Sequence, residues 1–444
     1  MDEAIQIVDG EAAQEGEPAP VDIVEAEAAY ERFVWDNLPR NFAGHFLHGM
    51  LGMTGFRIFN APTFLPAYLH LISGSNLLVG LGQALQQLGA VASPVVGAAA
   101  LEHRKRVLPV SMTMGTLMRV QIFGIAAAAW FLTGAPLIGA ILCFLFLLGL
   151  FQGAQGVAFQ MLLAKVIPTR WRGRLQALRN ITGGQVSAVL AYVAGRWLIG
   201  ANVLGHGYAV TFFAAAVLTS LGLTALALLM REPEPPTVRP RSRVWDRVRE
   251  FPALLVADRG YMYFMIAQTC ATAGRIGVPF YILFARHVMP LSGANIGLVS
   301  FVLFEADSLS NLVWGLAGDR FGFRSTFIGA MALWIAATVV LLMAGDATMI
   351  LVAFAGLGAA QSGFQMSSQT MVLEFGARDD VPMRLGLSQT AQGLMNTIGP
   401  LVGGVIAATA GYPPLFMLSI AFEALALVLL VTVVDEPRFR RADA

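Results

Sequence analysis

Apolar stretches of about 20 or more residues, separated by short polar segments, run through most of this chain. That length lets an α-helix cross the hydrocarbon core of a bilayer. The pattern predicts twelve membrane spans, numbered here in chain order, over about 42–72, 76–99, 107–133, 136–164, 175–200, 208–230, 260–286, 293–315, 325–344, 348–374, 385–410 and 414–434. The predicted fold class is therefore an all-α integral membrane protein with twelve transmembrane helices.

The polar segments divide the chain into two halves. Proline and charged residues crowd residues 231–259, which predicts a cytoplasmic linker with an amphipathic helix around 244–256. It separates an N-terminal six-helix bundle at 42–230 from a C-terminal one at 260–434. Residues 1–41 are predicted to form a disordered acidic tail and a short interfacial helix, and 435–444 a second tail.

Basic residues cluster in the loops that follow even-numbered spans, such as Arg104 to Arg106 and Arg170 to Arg174. The opposite loops offer little beyond Arg196 and Arg286. Positive loops stay on the cytoplasmic side, so both termini are predicted to be cytoplasmic, in the cell's inner or plasma membrane.

Composition excludes several classes of protein. With 56% hydrophobic and 13% charged residues and a mean hydropathy of +0.66, the chain is far less charged than a soluble protein. A net charge of +1 gives no sign of nucleic acid. Cys143 and Cys270 lie inside apolar runs and indicate neither a disulfide nor a metal site. The sequence has no phosphate-binding loop and no nucleophile triad, so neither an enzyme nor a cofactor is expected.

The segment from Gly315 to Arg324 reads Gly-Leu-Ala-Gly-Asp-Arg-Phe-Gly-Phe-Arg between two apolar runs. Its spacing, Gly-x-x-x-Asp-Arg-x-Gly-x-Arg, resembles the signature loop of the major facilitator superfamily of secondary transporters. The resemblance covers about residues 42–434 and implies two pseudo-symmetric bundles that work by alternating access. It also implies a cytoplasmic gate made of Gly315, Asp319, Arg320, Gly322 and Arg324. In that gate Gly315 would permit close helix contact and Gly322 a tight turn.

Short repeats relate the two halves. The segment Thr54-Gly-Phe-Arg-Ile corresponds to Thr272-Ala-Gly-Arg-Ile, and Phe159-Gln-Met corresponds to Phe364-Gln-Met. The first-half loop after Gly97 lacks the Asp-Arg pair and has Glu102 instead, so the second half is expected to carry the better-formed latch. The Gly399-Pro400 motif of span 11 resembles the kink found in helix 5 of drug–proton antiporters.

Polar residues recur near the predicted membrane centre, about 15–20 Å from the cytoplasmic helix ends. An ionised side chain there costs at least about 2.5–3.5 kcal/mol, so these residues are expected to face a central cavity. Three Arg against two carboxylates favour an anionic, zwitterionic or oxygen-rich substrate. The alternatives are salt bridges for the Arg residues and interhelix hydrogen bonds for the Gln residues. The candidate substrate-binding residues are Arg57, Arg119, Arg275, Asn60, Gln83, Gln87, Gln155, Gln361 and Gln365.

Glu305 and Asp307 are the two carboxylates that the count places at the membrane centre. They lie about 200° apart around a helix, so both cannot point into one cavity. Asp307 lies on the more polar face of the helix, with Ser300, Ser310 and Asn311, and is the favoured proton-coupling residue. Either carboxylate could carry the proton. His45 and His48 are interpreted as packing or interfacial residues, and Arg179 as reaching the interface.

The predicted function is secondary active transport of a small anionic or polar organic solute, coupled to protons. Two alternatives remain: a drug/proton antiporter, favoured by the 19 Met and 29 Phe residues, and a transporter-like receptor or assembly factor without flux. The expected partners are the lipid bilayer, the solute and protons, with the chain acting as a monomer.

Overall fold

The computed structural model describes residues 20–101, 105–234, 254–256, 258–375 and 381–436. The predicted tails at 1–19 and 437–444, the loop residues around Glu102, and most of the linker lie outside the described residues. Within those ranges all regular secondary structure is helical, and the twelve predicted spans are confirmed.

Spans 1 and 7 are broken, whereas the other spans are long helices. Span 1 comprises Leu38–Leu47, a π-helical turn His48–Met53, Thr54–Phe59 and Phe64–Ser73; span 7 comprises Arg259–Gly274, a 3-10 segment Arg275–Phe280 and Tyr281–Ala285. The others are Asn76–Leu101, Leu108–Phe131, Gly134–Val166, Thr169–Val193 (continued by a π-helical turn Ala194–Ile199), Gly207–Leu229, Gly293–Phe321, Phe323–Leu342, Ala347–Glu374, Val381–Thr409 and Tyr412–Thr432.

The breaks follow from proline chemistry. Pro62 lies between Thr54–Phe59 and Phe64–Ser73 of span 1, and Pro279 lies inside the 3-10 segment of span 7. A proline has no N–H to donate and its ring collides with the carbonyl four residues earlier, so the α-helix cannot continue. Pro66 is harmless by comparison, since it stands in the first turn of Phe64–Ser73, where the N–H has no helical partner.

Within the described residues, seven helices are by themselves long and apolar enough to cross a membrane; they form spans 3, 4, 6, 8, 9, 10 and 12. Of the remaining spans, 1 and 7 are broken and 5 is the most polar. Spans 2 and 5 pack against spans 11 and 8 of the other half, and span 1 contacts span 7. Irregular or polar segments therefore concentrate at the boundary between the halves, where protein rather than lipid covers them.

Glycines allow the halves to touch backbone to backbone. A Cβ on Gly80 of span 2 would overlap the carbonyl oxygen of Pro400 of span 11. Likewise, a Cβ on Gly195 would overlap the backbone of Gly297 in span 8. The Gly-Pro motif of span 11 thus forms a close helix contact between the halves.

A short helix, Pro20–Asp36, lies against the end of the N-terminal half that carries the charged loops, here called the charged-loop end. The Tyr30 hydroxyl donates to the Lys165 carbonyl at 3.1 Å, and Arg170 lies 4.1 Å from the centre of the Trp35 ring. Burial and the neighbouring Glu232 carboxylate raise the pKa of Tyr30, so the phenol stays protonated and able to donate. The predicted interfacial helix therefore rests at least partly on protein.

Candidate functional site

An ion pair joins the two halves near the middle of the molecule. Arg57 Nη1 lies 3.9 Å from Asp307 Oδ2, and their side chains are 25% and 17% exposed. Asp307 stands fourteen residues from both ends of Gly293–Phe321, about 21 Å along the helix. Both charges are therefore near the membrane centre and partly accessible, which is the placement expected of groups that meet a solute.

The surroundings of this pair also cross the boundary. A Cβ on Gly184 of span 5 would overlap the Ser308 hydroxyl and lie 3.4 Å from Arg57 Nη1. Arg57 Nη1 is buried and has no hydrogen-bond partner. Farther from the charged-loop end, the hydroxyls of Thr63 and Ser300 lie 2.6 Å apart across the boundary. Spans 1, 5 and 8 thus close around one charged group that has spare hydrogen-bonding capacity.

Asp307 and Glu305 differ as their spacing predicts. Asp307 reaches Arg57 in the other half, whereas Glu305 is half-buried with a carboxylate oxygen that lacks a hydrogen-bond partner. The structure therefore places Asp307, and not Glu305, at the cross-boundary ion pair.

Amide side chains extend the polar region into the N-terminal half. Asn60 Oδ1 accepts from Gln86 Nε2 at 2.6 Å, and the same Nε2 lies 3.4 Å from Gln152 Oε1. Gln86 was not among the predicted residues, whereas its neighbours Gln83 and Gln87 were, because depth in the membrane does not tell which of the three amides faces Asn60. Gln83 and Gln87 are half-buried.

The remaining predicted amides are scattered. Gln155 is buried and donates to the Ser111 hydroxyl at 3.4 Å, within the N-terminal half. Gln361 is half-buried and Gln365 is exposed on span 10. No single polar layer joins all of the predicted amides.

The predicted gate has a different form from the expected loop. Helix Gly293–Phe321 continues through Gly315, Asp319 and Arg320, so the connection to the next helix is the single residue Gly322, with φ 87°. The tight turn at Gly322 agrees with its predicted role. Gly315 does not make the expected close contact, because a Cβ there would meet only Met366 Cε at 4.0 Å.

Asp319 and Arg320 are exposed, while Arg324 is engaged inside its own half. Arg324 donates to the carbonyls of Leu430 and Val431 at 2.8 Å each, at the end of span 12. Its backbone N–H donates to Glu436 Oε2 at 3.0 Å. In this conformation Arg324 binds span 12 rather than the opposite half.

The first half repeats the Glu436 contact. Glu232 follows span 6 as Glu436 follows span 12, each directly before a proline. The Glu232 carboxylate accepts from the backbone N–H groups of Val107 and Leu108 at 2.7 and 2.8 Å, and from Lys165 at 3.0 Å. A glutamate after the sixth span of each half thus caps the third, at the positive end of its helix dipole.

Comparison with known proteins gives the same architecture. A family model described as Major Facilitator Superfamily matches residues 264–443, which include the Gly315–Arg324 signature. The fold resembles a mutant form of the nucleoside transporter NupG, with a TM-score of 0.70, 14% identity, and coverage of 88% of this chain and 98% of that one. The chain has the fold of major facilitator superfamily transporters, and its C-terminal half matches that family's model.

Two further similarities refine that placement. The D-xylose-proton symporter superposes with a TM-score of 0.67 at 14% identity, covering 90% of this chain and 98% of that one. The multidrug resistance protein MdtG of Enterobacter lignolyticus (strain SCF1) is 24% identical over 383 residues, 83% of this chain and 86% of that protein. The family model matches residues of the second half, which carries the signature loop, whereas the first half has an altered loop after Gly97.

Two of the three arginines expected to line a cavity contact groups of their own half: Arg119 is buried there, and Arg275 is half-buried with an Nε that has no hydrogen-bond partner. Arg119 is 4% exposed and donates to the carbonyls of Thr219 and Gly115 at 2.7 Å each. Arg275 lies 5.1 Å from the ring centre of Phe364 and 5.8 Å from that of Trp334. Backbone oxygens and aromatic rings therefore occupy these guanidiniums, and Arg57 alone of the three reaches the ion pair with the other half.

A third carboxylate, Glu423, was not predicted and is fully buried in span 12. It lies about 14–17 Å from either end of Tyr412–Thr432, so the depth count that found Arg57 would also have found it. Arg179 was interpreted wrongly as well. It is 4% exposed, lies 5.1 Å from the ring centre of Phe159, and its Nη2 is 2.9 Å from Met53 Sδ.

The positions of these arginines and carboxylates change the charge expected at the boundary between the halves. Between Asp36 and Glu232 the only acidic residue is Glu102, whereas the C-terminal half holds Glu305, Asp307 and Glu423 within its spans. At the boundary, Arg57 of the N-terminal half and Asp307 of the C-terminal half place one positive and one negative group opposite each other. The predicted cationic excess does not describe the boundary, where Arg57 faces a carboxylate.

Proposed function

We propose that the protein is a secondary transporter that carries a small polar solute, uncharged or zwitterionic, between its two halves by alternating access. The observation that carries this proposal is the Arg57–Asp307 pair, which is central, partly exposed and shared between the halves. Charges in the interior of a membrane protein are costly and usually belong to a substrate or ion pathway.

The geometry of the pair suits a solute that comes between the two groups. At 3.9 Å the contact is loose, and Arg57 Nη1 has no hydrogen bond to lose. A solute with an acceptor for Arg57 and a donor for Asp307 would replace the pair with shorter contacts. Charge separation between the halves favours a zwitterion or a hydroxyl-rich neutral molecule over a simple anion.

Proton coupling would work through the same pair. A proton on Asp307 removes the attraction to Arg57, which frees the guanidinium for the solute and loosens one link between the halves. Solute binding and protonation would then favour each other. The names of the nucleoside transporter and the xylose–proton symporter support polar solutes as the class to test first.

Drug efflux is the second candidate, favoured by the similarity to MdtG along 83% of the chain. The two functions predict different ligands. A polar solute needs Arg57 and Asp307, whereas a lipophilic cation needs an apolar cavity and one carboxylate.

The test combines ligand screening with flux. Purified protein would be heated with nucleosides, pentoses, zwitterionic amino acids or lipophilic cations, and each compound that stabilises it would be assayed in proteoliposomes under an imposed pH gradient. We expect a polar solute to be transported, and Asp307→Asn to abolish the pH dependence of its uptake.

Glu305→Gln is the matched control, because Glu305 lies on the same helix and takes no part in the cross-boundary pair. Retained pH dependence in Asp307→Asn would refute coupling at Asp307. Stabilisation and flux with lipophilic cations alone would replace the proposal with drug efflux.

A further inference from the structure

A second buried polar cluster lies entirely inside the C-terminal half, at the break in span 7. Its members are Glu423 and Ser419 of span 12, Tyr281 of span 7, and Trp334 and Thr338 of span 9. The hydroxyl of Tyr281 lies 3.3 Å from both Trp334 Nε1 and Thr338 Oγ1, and 3.5 Å from Ser419 Oγ. This cluster is separate from the Arg57–Asp307 pair and has no part in the function proposed above.

Span 12 is pressed against the break itself. A Cβ on Gly274 would lie 2.5 Å from Glu423 Cγ and 3.2 Å from the Glu423 nitrogen. Gly274 ends the helix Arg259–Gly274, and its carbonyl accepts a hydrogen bond from the Ser419 hydroxyl. Ser419 thereby holds the last carbonyl before the chain changes to the 3-10 segment.

Glu423 competes for the same hydroxyl. Its Oε1 lies 3.4 Å from Ser419 Oγ, and its buried Oε2 has no hydrogen-bond partner. A serine hydroxyl has one proton, which can serve either the Gly274 carbonyl or the carboxylate. A hydrogen bond to an ionised carboxylate is roughly twice as strong as one to a neutral acceptor, so the charge state of Glu423 decides which is chosen.

Few other charges face Glu423 from the helices packed around it. Span 7 supplies Tyr281 and, beyond it, Arg275 and Cys270; span 9 has Arg324 at its charged-loop end. Span 11 carries no titratable side chain after Arg384. A carboxylate that is fully buried with one weak hydroxyl contact would be an uncompensated charge, so the neutral acid fits this conformation.

We propose that Glu423 is a proton-operated switch on the break in span 7. As the neutral acid, it leaves Ser419 bound to the Gly274 carbonyl and the break is held. When the proton leaves, the carboxylate takes the Ser419 hydroxyl, the carbonyl is released, and the two parts of span 7 can move against each other. Its consequence for transport rests on the proposed function, but the switch itself does not.

The chain supplies its own reporter, because Cys270 lies one turn before Gly274 and is half-buried. In a Cys143→Ala parent reconstituted in nanodiscs, the rate at which N-ethylmaleimide alkylates Cys270 would be measured from acidic to alkaline pH. Dividing each rate by that of the Glu423→Gln variant at the same pH cancels the pH dependence of the thiol.

We expect this ratio to be near one at acidic pH and to rise several-fold at alkaline pH. Ser419→Ala, which cannot hold the carbonyl, should be alkylated several-fold faster than Glu423→Gln at every pH. If Glu423→Gln does not fold, the ratio of the parent to Ser419→Ala should still rise with pH toward one.

A parent ratio that stays flat across the pH range would overturn the switch, whether Glu423 keeps its proton throughout or its charge has no effect on span 7. Since alkylation requires no solute, a failed transport assay would leave this result standing. A flat ratio would equally leave the Arg57–Asp307 proposal intact.

Discussion

At the scale of single residues, identical side chains have different tasks in this protein. Arg119 donates to two backbone carbonyls inside one half, whereas Arg57 faces Asp307 across the boundary with one nitrogen free of hydrogen bonds. The first arrangement holds helices together, and the second leaves capacity for a ligand. A Lys substitution separates the roles, because an ammonium keeps the charge but loses the planar fork.

Arg119→Lys is expected to lower stability by about 1.5–3 kcal/mol, since one ammonium cannot reach both carbonyls, and to leave the apparent KM for the solute unchanged. Arg57→Lys should show the reverse, with the melting temperature retained and transport strongly reduced. Thermal unfolding and proteoliposome uptake of both variants provide the measurement. A raised KM in a stable Arg119→Lys protein would return Arg119 to the binding site.

At the scale of elements, the ends of helices at the charged-loop end are held by carboxylates rather than by the signature loop alone. The Glu232 side chain is 3% exposed and caps span 3 while pairing with Lys165. Glu234, two residues later, pairs with Arg106 at 2.8 Å, but these side chains are 52% and 64% exposed. The buried Glu232 contacts are therefore expected to stabilise the fold. The exposed Glu234–Arg106 pair is screened by water and contributes little.

Glu232→Gln is expected to destabilise the protein by about 2 kcal/mol, because a helix cap weakens and Lys165 loses its partner. Glu234→Gln is the matched control and should cost at most about 1 kcal/mol. Apparent melting temperatures in the same detergent would be compared. Equal losses in the two variants would show that the Glu232 cap contributes little.

At the scale of the whole molecule, the halves touch along spans 2 and 11 and along spans 5 and 8. Specific contacts run from Gly195 and Gly297, near the end opposite the charged loops, to Gly184 and Ser308 near the middle. The Thr63–Ser300 hydrogen bond adds a contact between spans 1 and 8, about 10 Å from the end opposite the charged loops. Alternating access would require these contacts to separate during each cycle.

A disulfide between Thr63→Cys and Ser300→Cys, in a background without the native cysteines, should therefore arrest transport. The hydroxyl oxygens are 2.6 Å apart, so sulfur atoms at the same two positions would lie within reach of each other. We expect uptake to fall at least about tenfold on oxidation and to recover on reduction. The two single-cysteine variants control for oxidation damage, and full uptake by the cross-linked protein would exclude separation at this point.

The sequence by itself determined the membrane character, the twelve spans and the resemblance to the major facilitator superfamily. Those properties depend on runs of apolar residues and on local motifs such as the turn at Gly322. Both can be read from residues that are close together in the sequence. It also placed Arg57 and Asp307 at the same depth, because depth along a helix follows from a constant rise per residue.

Only the tertiary structure decided which of these buried groups meet. Rotation about a helix axis and the choice of neighbouring helix put Arg119 inside one half, chose Gln86 over Gln83 and Gln87, and brought Glu423 to the break at Gly274. Depth in the membrane determines neither the rotation of a helix nor its neighbours, because both depend on packing between helices that are distant in the sequence. Whether a charge serves substrate, structure or a switch is therefore a property of the assembled bundle.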